Sequence, residues 1–204
     1  MTDEQELLGK GKLIHTNERN GAPLLLLDGV AVKFFPRRSP LVHLMRVACK
    51  GTKAHKQWNA ASALRKIGLQ TPEPVEVKVF GFQGDYEAAY LYRFLENAKP
   101  LHQALLDGDR PLLLSTLAEE LALMAQSGFL FVDFHLGNVL VDELGKLWWI
   151  DPEMTFSAAE IRKKFWSRME RMHHKCDPGV LSDDEWSFFV RMLNEKLPED
   201  LKRI

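Results

Sequence analysis

The sequence predicts an α+β protein in two lobes, a small β-rich N-terminal lobe with one helix and a mainly α C-terminal lobe. Three observations predict it. Short apolar runs bounded by turn residues dominate up to residue 92, helical patterns dominate from residue 101, and Tyr92–Pro100 between them follows neither rule. We expect a single domain over 1–204, with lobes at 1–92 and 101–204 and a hinge at 93–100.

Residues 12–15 and 23–27 read as strands around the turn-rich segment Thr16–Gly21. Asp28-Gly29 signals a tight hairpin into a strand over Val30–Phe35. The Pro36–Pro40 segment breaks the sheet. Thr52–Ile67 carries Ala54, Trp58, Ala61 and Leu64 at helical spacing, with Gly68 as its stop and Pro72 and Pro74 barring continuation. Val75–Phe80 and Glu87–Tyr92 follow as a strand pair joined by Gly81–Gly84. Leu101–Leu106 and Pro111–Ser127 read as helices, the second with Leu113, Leu117, Leu121 and Met124 on one face and Gly128 at its end. Val139–Val141 and Leu147–Ile150 form a hairpin across Asp142–Gly145, and helices over 157–175 and 183–196 close the chain.

With 46% apolar and 27% charged residues, the chain can build a sizeable core, which excludes the disordered and fibrous classes. The acidic start Met1–Glu6 has neither region of a secretion signal, and runs such as Leu24–Leu27 and Phe129–Val132 are too short to cross a bilayer, so a cytoplasmic protein is expected. Cys49 and Cys176 have no CxxC or zinc-like spacing and read as idle thiols in a reducing compartment. Charge is unevenly spread. No acidic residue lies between Gly29 and Pro72, whereas Lys33, Arg37, Arg38, Arg46, Lys50, Lys53, Lys56, Arg65 and Lys66 all do. Arg162-Lys163-Lys164, continued by Arg168, Arg171 and Lys175, forms a second basic run. Such asymmetry favours anionic ligands or surfaces. No reader motif accompanies it, so nucleic acid is not expected as a partner.

The chemistry is concentrated in Phe131-Val-Asp-Phe-His-Leu-Gly-Asn-Val-Leu-Val141 and Trp148-Trp-Ile-Asp-Pro-Glu153. Asn138 immediately precedes the outgoing strand of the expected hairpin and Asp151 immediately follows the returning one, so antiparallel pairing brings both to one end. Asp133 lies in the loop leading into that end. Two carboxylates and a carboxamide are hard oxygen donors of the kind Mg²⁺ takes, its shell completed by waters and phosphates. The plainer alternative is that Asp133 and Asn138 only make loop and cap hydrogen bonds. In Val30–Phe35, alternation puts Ala31, Lys33 and Phe35 on one face. A lysine there either meets an anion or reaches out to water.

Asp133-Phe-His-Leu-Gly-Asn138 resembles the catalytic loop of protein-kinase-like enzymes, in the Asp-x-His-x-x-Asn form of bacterial sugar and antibiotic kinases. Val-Ala-Val-Lys33 is similar to their third-strand lysine motif. The resemblance implies a protein-kinase-like fold with ATP and Mg²⁺ as cofactors. It implies that Asp133 is the base for the acceptor hydroxyl, that Asn138 and Asp151 hold the metal, and that Lys33 contacts the nucleotide phosphates. Lys56-Gln-Trp-Asn and Ala63–Pro74 are similar to the corresponding helix and loop of bacterial lipopolysaccharide core kinases, which phosphorylate Kdo or heptose. This narrower resemblance implies an anionic saccharide or lipopolysaccharide acceptor and peripheral contact with the inner membrane surface.

Four departures accompany the resemblance. Gln57 stands where the family has the glutamate that pairs with the lysine, and a carboxamide offers an acceptor without a full charge. Phe131 replaces a histidine, Pro152-Glu153 replaces Phe-Gly, and Gly9-Lys-Gly11 is only a fragment of a phosphate-covering loop. Glu153 either adds a carboxylate to the metal or starts the next segment. Three readings stay open: a kinase for a core sugar, a kinase for another small molecule or protein, and a pseudokinase scaffold that binds nucleotide without turnover. His135 is expected to order the loop, and one of Trp148 and Trp149 is expected in the core. For the basic helix around 161–172, the alternatives are a solvated face over a packed stripe and an anionic surface contact.

Overall fold

The structure, a computed structural model, describes residues 3–37, 39–49, 51–177 and 179–203. Arg38 and Lys50 of the basic segment lie outside them. The chain divides into two compact units. The first runs to Ser62 and resumes over Pro72–Glu96, and the second comprises Ala63–Thr71 and the chain from Asn97 onward.

The first unit is built on an antiparallel sheet of five strands: β1 (Lys12–Thr16), β2 (Pro23–Leu27), β3 (Val30–Pro36), β4 (Pro74–Val79) and β5 (Tyr86–Arg93), in the order β1-β2-β3-β5-β4. Asp28 and Gly29 both have positive φ, as the tight β2–β3 turn requires. The period of two separates the sheet faces as expected. Val32 and Phe34 pack with Leu7, Leu25, Phe80, Ala89 and Leu91, whereas Phe35 packs on the other face with Ala88, Tyr90 and Ala54.

A single helix was expected in this half, and the structure corrects that. Helices α1 (Asp3–Lys10) and α2 (Pro40–Ala48) precede α3 (Lys53–Lys66), whose last turn belongs to the second unit. Helix α1 forms from the acidic start because its first-turn carboxylates suit the positive end of the helix dipole, Lys10 bonds Glu6 at 2.6 Å, and Leu7 is buried. That places Gly9 and Lys10 in a helix. A Cβ on Gly11 would lie 2.7 Å from the Leu25 Cβ, so this glycine permits close packing. Helix α2 starts on Pro40 and is one-sided in an unusual sense: its apolar stripe Leu41, Leu44 and Met45 is exposed while His43 is buried, so no apolar core face announces it.

Helices α4 (Leu101–Asp107), α5 (Arg110–Gln126), α6 (Ala158–His174) and α7 (Asp183–Lys196) dominate the second unit. Its short strands are β6 (Lys99–Pro100), β7 (Leu130–Phe131), β8 (Val139–Val141), β9 (Leu147–Trp149) and β10 (Met154–Thr155). They form one sheet in the order β6-β8-β9 and a separate β10-β7 pair. Gly128, at φ 79°, ends α5 by letting Phe129 N–H reach the Met124 carbonyl at 2.8 Å. One core gathers Leu113, Leu117, Leu121 and Met124 of α5 with Phe165 and Met169 of α6 and Phe189 and Leu193 of α7. The apolar stripe of α6 is therefore packed: Ile161, Phe165, Met169 and Met172 are all buried. No helix among the described residues is long and apolar enough to cross a membrane.

Candidate functional site

The residues of the Asp133 loop are held by backbone pairing on both sides. Upstream, β7 pairs with β10 through Phe131 and Met154, and Val132 N–H donates to the Glu153 carbonyl at 2.7 Å. Downstream, β8 pairs with β9 from Val139–Trp149 to Val141–Leu147, and Ile150 N–H donates to the Asn138 carbonyl at 3.0 Å. Asp151 thus sits on a short connection whose two flanks are tied to the two flanks of the Asp133–Asn138 segment. Asp151 adopts φ 52°, in the left-handed region that a non-glycine residue avoids, unlike Asp28 with no glycine hairpin turn to account for it. Such strain costs about 1–2 kcal/mol and persists where surroundings over-determine the backbone.

Inside the loop, Asn138 is buried, and its Nδ2 donates to the Asp133 carbonyl at 2.9 Å. Its backbone N–H donates to the His135 carbonyl at 2.9 Å, closing a 3-10 turn over Leu136–Asn138. With the amide nitrogen committed, the orientation of Oδ1 is set, and among the described residues it accepts no hydrogen bond. A fixed carboxamide oxygen is a donor that suits a hard cation. Among the described residues no group of three His, Cys, Asp or Glu side chains could hold a metal ion. Any cation here would therefore rely on Asn138, one or two carboxylates, and oxygens brought by a ligand.

His135 is half-buried, and burial pushes its ring pKa down. The negative charges of Asp133 and Asp151 act in the opposite sense. A Cβ on Gly137 would lie 3.1 Å from His135 Nδ1, so glycine lets the ring lie against the turn. Residue-type reasoning named His135 as a loop-ordering group but passed over Gly137. Its only signal was a glycine immediately before a buried asparagine. Glu153 contributes its carbonyl to the β7–β10 pairing while its side chain is exposed.

Beneath the loop, Trp149 is fully buried, its ring centroid 5.4 Å from Phe131 and 5.8 Å from Phe134. Phe131, which replaces the family histidine, is thus part of an aromatic floor. Trp148 is partly exposed and donates from Nε1 to Asp142 at 2.9 Å. Trp149 Nε1 donates to Glu120, which sequence reasoning missed. Burial pushes the Glu120 carboxyl up to about 7 from 4.5, although the Trp149 hydrogen bond pulls it the other way. Between those two values the folded protein holds a proton that the unfolded chain has lost. Stability should therefore fall as pH rises through this window and level off above it. Glu120→Gln keeps an acceptor for Trp149 and removes the ionisation. It should flatten that slope and gain on the order of 1–2 kcal/mol at pH 8, read from urea melts at pH 5 and pH 8. Parallel pH profiles for variant and wild type would remove Glu120 as the source.

Lys33 and Gln57 belong to the first unit. Lys33 is half-buried on β3, opposite Leu24 and Tyr90, with Nζ 5.8 Å from the Phe35 ring centroid. Phe35 and Tyr90 pack against Ala54 and Trp58, so α3 covers the sheet face that carries Lys33. Gln57 lies on that helix, and its buried Oε1 has no hydrogen-bond partner among the described residues. An orphaned buried acceptor carries an unrecovered desolvation cost.

No protein-family model matches the sequence, and no curated protein matches it. Among solved structures, a high-resolution crystal structure of WbdD matches with a TM-score of 0.51 and 17% identity, covering 92% of this chain and 46% of that one. WbdD in complex with the kinase inhibitor LY294002 matches with a TM-score of 0.50 and 18% identity, again over 92% and 46%. Monomeric WbdD gives 0.51 and 16% identity over 86% of this chain and 44% of that one. WbdD is a bifunctional kinase-methyltransferase. This chain spans about half the length of the WbdD chains it matches. At such identities the likeness is one of fold: the chain has a kinase-like fold of mixed α/β construction, with a five-stranded antiparallel sheet and several helices.

Proposed function

We propose that this chain is an ATP- and Mg²⁺-dependent phosphotransferase acting on a hydroxyl, with a lipopolysaccharide inner-core sugar as acceptor. One observation carries the reading. Two backbone hydrogen bonds and the Asn138 amide tie Asp133, Asn138 and Asp151 into one loop system, and Asp151 is held in a strained backbone there. The kinase-like fold supports it, as does the identity of the matched protein as a kinase-methyltransferase.

In this reading Asp133 orients the acceptor hydroxyl and takes its proton, and Asn138 Oδ1 with the Asp151 carboxylate holds Mg²⁺. Bound Mg²⁺ would neutralise charge on the nucleotide phosphates. Lys33 contacts those phosphates, and Gln57 Oε1 is an acceptor suited to an ammonium on the sheet face that α3 covers. The acceptor's chemistry rests on resemblance to core-sugar kinases, so another small molecule or a protein is the alternative within the same reaction class.

A nucleotide-binding scaffold without turnover is the second reading, favoured by a neutral Gln57, whose Oε1 has no partner among the described residues, where a carboxylate would secure the lysine. Thermal unfolding with ATP, with and without Mg²⁺, separates these readings when followed by phosphate transfer to extracted core sugar. At a hundredfold excess over Kd, Mg²⁺–ATP should raise Tm by about 5–10 °C, and more than ATP alone. Transfer to core sugar completes the case. A shift without transfer to any acceptor leaves the scaffold, and the absence of any shift overturns both.

A further inference from the structure

The described surface holds an apolar helix face that the proposed chemistry does not use. On α2, Leu41, Leu44 and Met45 are 69%, 55% and 62% exposed, at the i, i+3 and i+4 spacing of a single stripe. The opposite side of the helix is anchored. His43 is buried, and Arg46 pairs with the buried Glu87 at 3.2 Å. A further apolar side chain is exposed off the helix, beside its anchored side. Phe82, at the β4–β5 turn, is 57% exposed, and its ring meets the His43 ring edge-on at 5.1 Å. Three large apolar side chains thus stand outward on one face of a helix whose other side is held by the Arg46–Glu87 pair, and Phe82 stands exposed beside that other side. Soluble surfaces rarely present so much contiguous apolar area without a partner.

The surrounding charge selects the partner. Helix α2 sits in the middle of the Gly29–Pro72 stretch, which has no carboxylate and whose described cations, apart from the Arg46 paired with Glu87, include Arg37, Lys53 and Lys56. Asp3 and Asp85 are the exposed acids on the Phe82 side, outside that stretch. A second copy meeting this face about a two-fold axis would set the cations of one α2 segment against those of the other. An anionic lipid surface takes up both features, apolar side chains below the headgroups and cations among them. Helix α6 has the basic character but not the apolar face, since its stripe is spent on the core.

We propose that α2 and Phe82 form an interfacial docking surface for a membrane containing anionic lipid, with Leu41, Leu44, Met45 and Phe82 entering the headgroup region. The inference stands apart from the phosphotransfer reading, because adsorption needs neither nucleotide nor acceptor. The test is co-sedimentation of the full chain with phosphatidylcholine vesicles, with and without phosphatidylglycerol. Binding should require phosphatidylglycerol and weaken with added salt. A Leu41→Ser, Leu44→Ser, Met45→Ser variant should bind roughly tenfold or more weakly with an unchanged unfolding transition, and Phe82→Ser should weaken binding independently. No binding to phosphatidylglycerol vesicles overturns the proposal, as does equal binding by a folded triple variant. A dimer in sedimentation equilibrium that the triple variant abolishes would assign the face to self-association and overturn it too.

Discussion

Asp133→Asn should lower phosphate transfer by about 10²–10⁴-fold while leaving the unfolding temperature and the Mg²⁺–ATP shift close to wild type. The substitution removes a proton acceptor but keeps size and shape. The loop does not depend on the Asp133 side chain for its form, because Asn138 binds the Asp133 backbone carbonyl and the flanks are held by Val132–Glu153 and Ile150–Asn138 pairing. A pure chemical defect is therefore expected. Single-turnover rates with a saturating acceptor, compared with nucleotide affinity from the thermal shift, read the two effects separately. Turnover within threefold of wild type would remove Asp133 from the base role. An equal loss of nucleotide affinity and turnover would recast it as a binding residue.

The largest effect on stability is expected from Trp149→Ala. Trp149 is fully buried between Phe131 and Phe134. Its backbone N–H donates to the Gln70 carbonyl at 2.9 Å, and its carbonyl accepts from Thr71 Oγ1 at 2.7 Å. Truncating a large aromatic in such a core costs about 3–5 kcal/mol. Here the change also strips the partly buried Glu120 carboxyl of its indole donor. Against a typical total stability of about 5–15 kcal/mol, that loss should lower Tm by roughly 10 °C or more. Trp149→Phe keeps most of the packing and loses only the N–H, so its cost should be about 1–2 kcal/mol. Denaturant midpoints for the two variants distinguish cavity from hydrogen bond, and an Ala variant within 1 kcal/mol of wild type would contradict the packing argument. Trp149 lies two residues before Asp151, and Phe134 directly follows Asp133, so this floor supports both acidic positions from below.

The elements that were legible in the sequence share one property, a local signal. Asp28-Gly29 names its own hairpin, Gly68 and Gly128 stop α3 and α5 with φ of 86° and 79°, and the Val139–Trp149 hairpin is announced by its turn. The alternation that puts Lys33 and Phe35 together is equally local. What escaped lacked such a signal. Helix α1 depends on Leu7 packing against Leu25, across a glycine kept small by that contact. Helix α2 turns its apolar stripe outward and buries His43, the reverse of the rule by which an apolar face marks the core. The short β7–β10 pair joins segments over twenty residues apart in sequence and is only two residues long, too short for any strand pattern.

Residue order alone set out the candidate site residues and the elements that carry them: an acidic loop and hairpin in one half, and a lysine on an alternating strand in the other. Those follow from short-range sterics, with side-chain period, turn conformation and capping all decided within a few residues. Packing between distant segments settled how the Asn138 amide is oriented, that Asp151 sits in a strained backbone, that Glu120 accepts from Trp149, and that the apolar stripe of α6 faces the core while that of α2 faces outward. Each of these depends on which distant segment supplies the neighbouring atom. Burial and hydrogen-bond partnership are properties of packing, and a linear pattern carries them only where one face of an element is uniformly apolar.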